Sequence, residues 1–179
     1  MTAPTLHTPR LTLRAPEIAD FAAYRAFVTS DRSRFMGGPH DAATAWSWFC
    51  NDAAQWPLLN MGGLTVLHGD QQIGQVALCH GPIFPEPELG WFLFDGFEGQ
   101  GFATEAATAL RDWAFGPRGL TTIVSYIDAA NTASQAIAGR LGGVVDPAAA
   151  TPDGMTTLVY RFAKGRITPT IQPNLGGQS

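Results

Sequence analysis

The chain has 179 residues, 45% of them hydrophobic, and a formal net charge of −4. That length suits one domain able to bury about two-thirds of its unfolded surface, so no disulfide or metal staple is needed to hold it. No apolar run reaches membrane-spanning length, and a single lysine, Lys164, with no basic cluster argues against membrane and nucleic-acid partners alike.

The opening residues lack a basic stretch followed by an apolar one, which points to a cytoplasmic protein. The alternation Arg10-Leu-Thr-Leu-Arg14 predicts a half-buried strand. Pro16 then opens a helix with Ile18, Phe21, Ala22 and Val28 near one face, and Asp31–His40 reads as a loop. Asp41 can cap a second helix whose apolar stripe is Ala42, Ala45, Trp46, Phe49, Ala53 and Trp56, with Trp48 pointing elsewhere and Pro57 helping to end it. Leu64–His68 and Ile73–His80 form an expected hairpin. Gly81–Pro87, with three prolines, reads as a loop. Glu88–Phe94 is apolar at nearly every position, so it is expected to be a central strand buried on both faces; Gly90 inside it marks a bulge or a close approach.

Asp95–Gly101 is a glycine-rich loop. A helix runs from it to Phe115, with Ala103, Ala106, Ala107, Leu110 and Ala114 on one side, and Gly116-Pro117 stops it. Thr121–Ile127 reads as a strand, Asn131–Leu141 as a short helix, and Val144-Val145 and Met155–Phe162 as strands. Residues 1–164 are expected to form one domain of α/β (α+β) class with a mixed sheet. Gly165–Ser179 reads as a flexible tail, with an arm onto a partner subunit as the other reading. Cys50 and Cys79 lack CxxC spacing and are expected to be buried free thiols.

The chemistry concentrates where the central strand runs through Gly96, Gly99 and Gly101 into a helix. Free N–H groups at a helix start make an anion site, and glycines let phosphate oxygens approach closely; an ordinary glycine-rich turn has the same composition, and both readings stand. A P-loop would need a lysine that is absent, and the dinucleotide fingerprint would need glycine at Thr104.

Four features in order resemble the GNAT superfamily of N-acetyltransferases, nearest the branch of ribosomal-protein N-terminal acetyltransferases. They are the opening Arg10-Leu-Thr-Leu-Arg-Ala-Pro, the strand Glu88-Leu-Gly-Trp, the loop and helix Gly99-Gln-Gly-Phe-Ala-Thr-Glu-Ala, and Asn131-Thr-Ala-Ser134 followed by Leu141-Gly142. The resemblance implies a mostly antiparallel central sheet flanked by helices, with two splayed central strands. It implies acetyl-CoA as co-substrate, no metal, and direct acetyl transfer to a primary amine, on a protein N-terminus or a small molecule, without an acyl-enzyme. It also implies that amides of Gly99, Gln100, Gly101, Phe102, Ala103 and Thr104 hold the pyrophosphate, that Trp91, Phe92 and Leu93 lend main-chain bonds to the pantetheine arm, and that Asn131 and Ser134 lie near the thiol.

The sequence departs from the family at two points. Glu98 stands where the phosphate motif opens with glutamine or arginine, and Ala138 where many relatives have a tyrosine that protonates the thiolate, leaving Ser134 or water for that role. A non-catalytic acyl-CoA sensor is the alternative class, and a dinucleotide-binding protein a third. An alkyl ammonium must lose a proton before it attacks, so a base is needed. Glu88 is the main candidate, set against a strand-end carboxylate paired with arginine; His80 is the second. Backbone N–H groups of Trp91 or Phe92 can serve the oxyanion. Asn131 and Ser134 equally fit a helix cap over Thr132-Ala-Ser-Gln135. Glu105 is expected to stabilise its helix end, and Arg140 to be a solvated arginine or to meet the ribose phosphate. The acceptor stays open, as does the choice between monomer and homodimer.

Overall fold

The computed structural model describes residues 2–82, 84–152 and 157–165. Strand β1 (Leu6–His7) pairs with β2 (Leu11–Arg14), and a single 3-10 turn, Ile18–Asp20, leads into α1 (Phe21–Val28). A second 3-10 segment, Asp31–Met36, precedes α2 (Ala42–Leu59), which β3 (Gly62–His68), β4 (Gln71–Gly81) and β5 (Phe84–Leu93) follow. Then come α3 (Phe102–Phe115), β6 (Thr122–Asp128), α4 (Thr132–Arg140), β7 (Val144–Val145) and β8 (Thr157–Ala163). Across the described residues these strands form one sheet in the order β1-β2-β3-β4-β5-β6-β8-β7. Every pairing is antiparallel except β5 with β6.

The one parallel contact positions the site. Strands β5 and β6 share a single register pair, Glu88 with Val124. The Ser125 hydroxyl donates to the Leu89 carbonyl just beyond it, and the strands then diverge. The crossover between them is α3, whose small residues Ala103, Ala106, Ala107 and Ala114, with Leu110, are all buried against one face of the sheet. That stripe follows the helical period read from the sequence.

The opposite face carries α1 and α2, where Tyr24, Phe27, Val28, Ala45 and Phe49 pack against Phe92 and Phe94. Asp41 caps α2 as expected, its Oδ1 accepting the Thr44 N–H at 2.7 Å. Other expectations for these helices are corrected. Ile18 is 72% exposed and Ala22 is exposed, because the buried face of α1 is Tyr24, Phe27 and Val28. Trp46 is 45% exposed, lying edge-on to Phe21 and alongside Phe49 at the rim of this cluster, whereas Trp48 turns inward. Pro57 lies inside α2, which ends at Asn60 in the left-handed region (φ 54°).

Strand β5 begins earlier than expected, so Pro85 and Pro87 stand within a strand rather than a loop. Proline is tolerated where no ladder bond calls on its nitrogen. Met155 and Thr156, at the start of the last expected strand, and residues 166–179 of the expected tail lie outside the described residues. Cys50 is half-exposed, not buried; Cys79 is buried, and both are free.

Asp20 knots the α1–α2 side to the sheet. Its buried carboxylate accepts from Arg14 Nη1 at 2.7 Å and Nη2 at 2.9 Å, from the Glu17 N–H at 2.9 Å, from Thr65 Oγ1 at 2.7 Å and from the Gln72 amide. Burial pulls the Asp20 pKa up, but these donors hold it below the usual carboxylate range. Asp20→Asn keeps the shape and removes the charge that Arg14 faces. It is expected to cost about 2–3 kcal/mol, read as a lower urea midpoint at unchanged slope.

Candidate active site

Beyond the Glu88–Val124 pair the sheet opens into a cavity of about 690 Å³ that reaches from the α1–α2 side to α4. It is an aromatic chamber with carboxylates in its wall; the anion-ready loop, whose residues are not part of this lining, follows the end of β5.

The loop lies at the start of α3. Gly96, Gly99 and Gly101 have φ of 87°, 74° and 80°, a region that favours glycine. The N–H groups of Gly99, Gly101, Phe102, Ala103 and Thr104 find no acceptor among the described residues; the first helical bond is Glu105 N–H to the Gly101 carbonyl at 3.0 Å. Five unpaired donors at a helix start concentrate positive potential. Gln100 gives its carbonyl to Arg10 Nη1 at 3.0 Å. Arg10 also covers the Phe102 ring at 4.5 Å and bonds Glu105 Oε2 through Nε at 2.7 Å, and the other Glu105 oxygen accepts from Thr8 Oγ1 at 2.6 Å. Glu105 therefore braces the loop from the chain's first strands. Burial pulls its pKa up, and these donors bring it below the usual range.

Glu98 folds back on the loop. Its Oε2 accepts the Gly96 N–H at 3.0 Å, and Oε1 pairs with Arg32, which also bonds Asp95 Oδ1 at 3.1 Å and the Leu93 carbonyl at 3.1 Å. The departure at Glu98 thus occupies the Gly96 amide and leaves the amides from Gly99 onward free.

The divergence of β5 from β6 leaves main-chain groups of β5 unpaired. The Phe94 N–H donates to the Ile73 carbonyl at 2.8 Å, so by strand alternation the Phe92 N–H also faces β4, while Trp91 and Leu93 face the gap. Of the two oxyanion donors considered, Trp91 is the one aimed there. The expectation that β5 is buried on both faces is corrected as well. Leu89 is fully buried, but Glu88 and Gly90 to Phe94 are half-buried, and of these Glu88, Gly90, Trp91 and Phe92 line the opening.

Across the gap, Asn131 Oδ1 accepts the Ser134 N–H at 3.1 Å and caps α4, one residue earlier than the box starting at Thr132. Both residues also line the cavity, so the two readings coexist. The Ser134 hydroxyl makes no hydrogen bond among the described residues. Ala138 is fully buried in the core, Arg140 is exposed, and His80 lies outside the cavity lining, its N–H taken by Gln55 at 3.0 Å.

Glu88 lies in the cavity wall without a hydrogen bond to the described residues, so the arginine-paired reading does not describe it. A Cβ at Gly90 would stand 3.2 Å and 3.3 Å from its carboxylate oxygens, which explains the glycine in this strand. Burial pushes the Glu88 pKa up to about 8, and the charge of Asp52 adds to the shift. Sequence reasoning missed Asp52, a buried residue of α2. Its Oδ2 accepts from Gln75 Nε2 at 2.6 Å and Tyr24 Oη at 3.2 Å, and Oδ1 from Cys79 Sγ at 3.7 Å. Burial raises its pKa to about 6 against the pull of these donors. Burial likewise pushes the Cys79 thiol far up, so it is no nucleophile. The signal for Asp52 was present: it is the one acid of α2, three residues after Phe49 and four before Trp56, on the apolar stripe.

A family model for the acetyltransferase (GNAT) domain matches residues 10–144. The chain belongs to the GNAT acetyltransferase family. This GNAT protein is 49% identical to an acetyltransferase from Agrobacterium tumefaciens strain C58, over 92% of this chain and 96% of that one, with a TM-score of 0.88. Its fold also matches RimL, a ribosomal L7/L12 α-N-protein acetyltransferase solved with coenzyme A, at 17% identity, over 89% and 98% of the chains, with a TM-score of 0.72. It matches MccE, a microcin C7 self-immunity acetyltransferase solved with acetyl-CoA and AMP, at 17% identity, 87% and 93% coverage and a TM-score of 0.67. No curated protein matches the chain significantly. Family membership makes the GNAT protein an acyltransferase. No helix among the described residues is long and apolar enough to cross a membrane, and no group there has the make-up of a metal site.

Proposed function

We propose that this protein transfers an acetyl group from acetyl-CoA to a primary amine by direct attack in a ternary complex. The observation that carries this reading is the run of unpaired amides, Gly99 and Gly101–Thr104, beside a gap between β5 and β6. These amides suit a diphosphate, and the Trp91 and Leu93 main chain, with Asn131 and Ser134 opposite, suits an extended amide-bearing arm that ends in a thioester. Gln100 and Phe92 hold this arrangement in shape, the first through Arg10 and the second through its ring stacked 4.3 Å from that of Phe27.

In this reading Glu88 takes the proton of the ammonium. The freed nitrogen then forms the new C–N bond as the C–S bond breaks, the Trp91 N–H faces the carbonyl oxygen, and the thiolate leaves while the nitrogen gives up its second proton, which Ser134 accepts as it passes its own to the thiolate. Ser134, whose hydroxyl is uncommitted, is the group placed to return a proton, since Ala138 has none to give. A base acts only when ionised, so activity should rise with pH through about 8.

The test pairs calorimetry on acetyl-CoA and NADH with thiol release in the presence of amines. Tight acetyl-CoA binding with amine-dependent thiol release supports the reading. Binding without release favours the sensor class, to which Ala138 lends weight, and preference for NADH removes the proposal. Asp52→Asn supplies a further check. Its charge raises the Glu88 pKa, so neutralising it should move the rising limb of the kcat profile to lower pH, with a several-fold gain at pH 7 relative to wild type at saturating amine.

A further inference from the structure

The acceptor chamber bears on which amine it takes, an inference that rests on the transfer reading above. Three features of its wall act together. First, Asp52 and Glu88 both line it with no cation among the described residues paired to either: Asp52 receives three neutral donors there and Glu88 none. A buried carboxylate without a cation favours a ligand that brings one. Second, Arg32, the one cation of the lining among the described residues, is already paired with acids. Its two Nη groups are held by Asp95, Glu98 and the Leu93 carbonyl and only its buried Nε lacks a partner, so among the described residues the one positive charge an acceptor carboxylate would meet is already countered by two acids. A third acid of the lining, Asp128, accepts the Ala130 N–H at 2.7 Å and adds to the disfavour for anions. Third, much of the remaining wall is apolar and aromatic. Phe27, Phe35, Met36, Trp48, Phe84 and Phe92 line it, and neutral polar groups stand among them, including Asn51 and the Tyr126 hydroxyl, which has no partner among the described residues.

We infer that the acceptor is a small aromatic monoamine without a carboxylate, its ammonium between Asp52 and Glu88 and its ring against Phe27, Trp48 and Phe92. Aromatic faces bind both a ring and a neighbouring ammonium, so charge and walls select the same ligand. A polyamine has no ring for these faces and would have to strip water from a second ammonium, a cost that contact with aromatic faces offsets only in part, and a free amino acid would bring its carboxylate beside Asp52 and Glu88.

Calorimetry and acetyl-CoA-dependent thiol release on the intact chain would use 2-phenylethylamine, phenylalanine, spermidine and a peptide amide that begins with phenylalanine. The expected result is a kcat/KM for 2-phenylethylamine roughly 10- to 100-fold above each of the others, matched by the order of affinities. Trp48→Ala should raise its KM several-fold and leave the acetyl-CoA affinity unchanged. Equal or better turnover of phenylalanine, spermidine or the peptide overturns the acceptor class and leaves acetyl transfer standing. Selective binding of 2-phenylethylamine without thiol release supports the acceptor class and removes the transfer reading. Neither binding nor release with any of the amines overturns both.

Discussion

Gly101→Val is expected to lower the affinity for acetyl-CoA by about a hundredfold or more while the far-ultraviolet dichroism stays that of the wild type. Gly101 has φ of +80° and is the residue from which α3 starts, with no side chain capping that end. A β-branched residue is strained there, at about 1–2 kcal/mol, and relieving the strain turns the peptide planes on either side. Those planes carry N–H groups of the unpaired run. The fold should survive, because the new Cβ would meet only Arg10 Nη2, the end of a flexible side chain, at 3.5 Å. Calorimetry against acetyl-CoA decides the matter, and an unchanged affinity would rule out this loop as the diphosphate site.

Glu88→Gln should reduce kcat by roughly a hundredfold or more and abolish the rise of activity through pH 8. Glutamine fits the space that Gly90 leaves open but accepts no proton. The acetyl-CoA affinity should hold, since Glu88 is on the face of β5 toward Asp52 and Cys79 rather than at the start of α3. Stopped-flow or steady-state thiol release across pH 6 to about 10 reads both effects. A profile identical to wild type would return Glu88 to a passive place in the wall.

Much of this frame was legible in the chain because it depends on local rules. The alternation through Arg10–Arg14, the Asp41 cap and the alanine stripe of α3 are each set by neighbours a few residues away. The loop at Gly99–Thr104 was legible for the same reason, since the positions that need positive φ are glycines. What stayed hidden depends on tertiary contact. Asp52 lies on an apolar stripe, and only the arrival of Gln75, Tyr24 and Cys79 makes its burial tolerable. The roles of Trp46 and Trp48 were exchanged because periodicity does not say which neighbour covers a helix. Pro85 and Pro87 signalled a loop, but residues 84–87 extend a strand whose ladder is sparse at that end. The pairing of Glu98 with Arg32 joins segments 66 residues apart, beyond any local rule.

The single rung between β5 and β6 also affects how stability is shared. A sheet normally spreads its cooperativity sideways through ladder bonds, and here that path narrows to one pair, the Ser125–Leu89 bond and the helical crossover. The molecule is built as two leaves joined at a narrow spine. Whatever fills the gap stitches the leaves together, so its binding free energy adds to the resistance of both against unfolding.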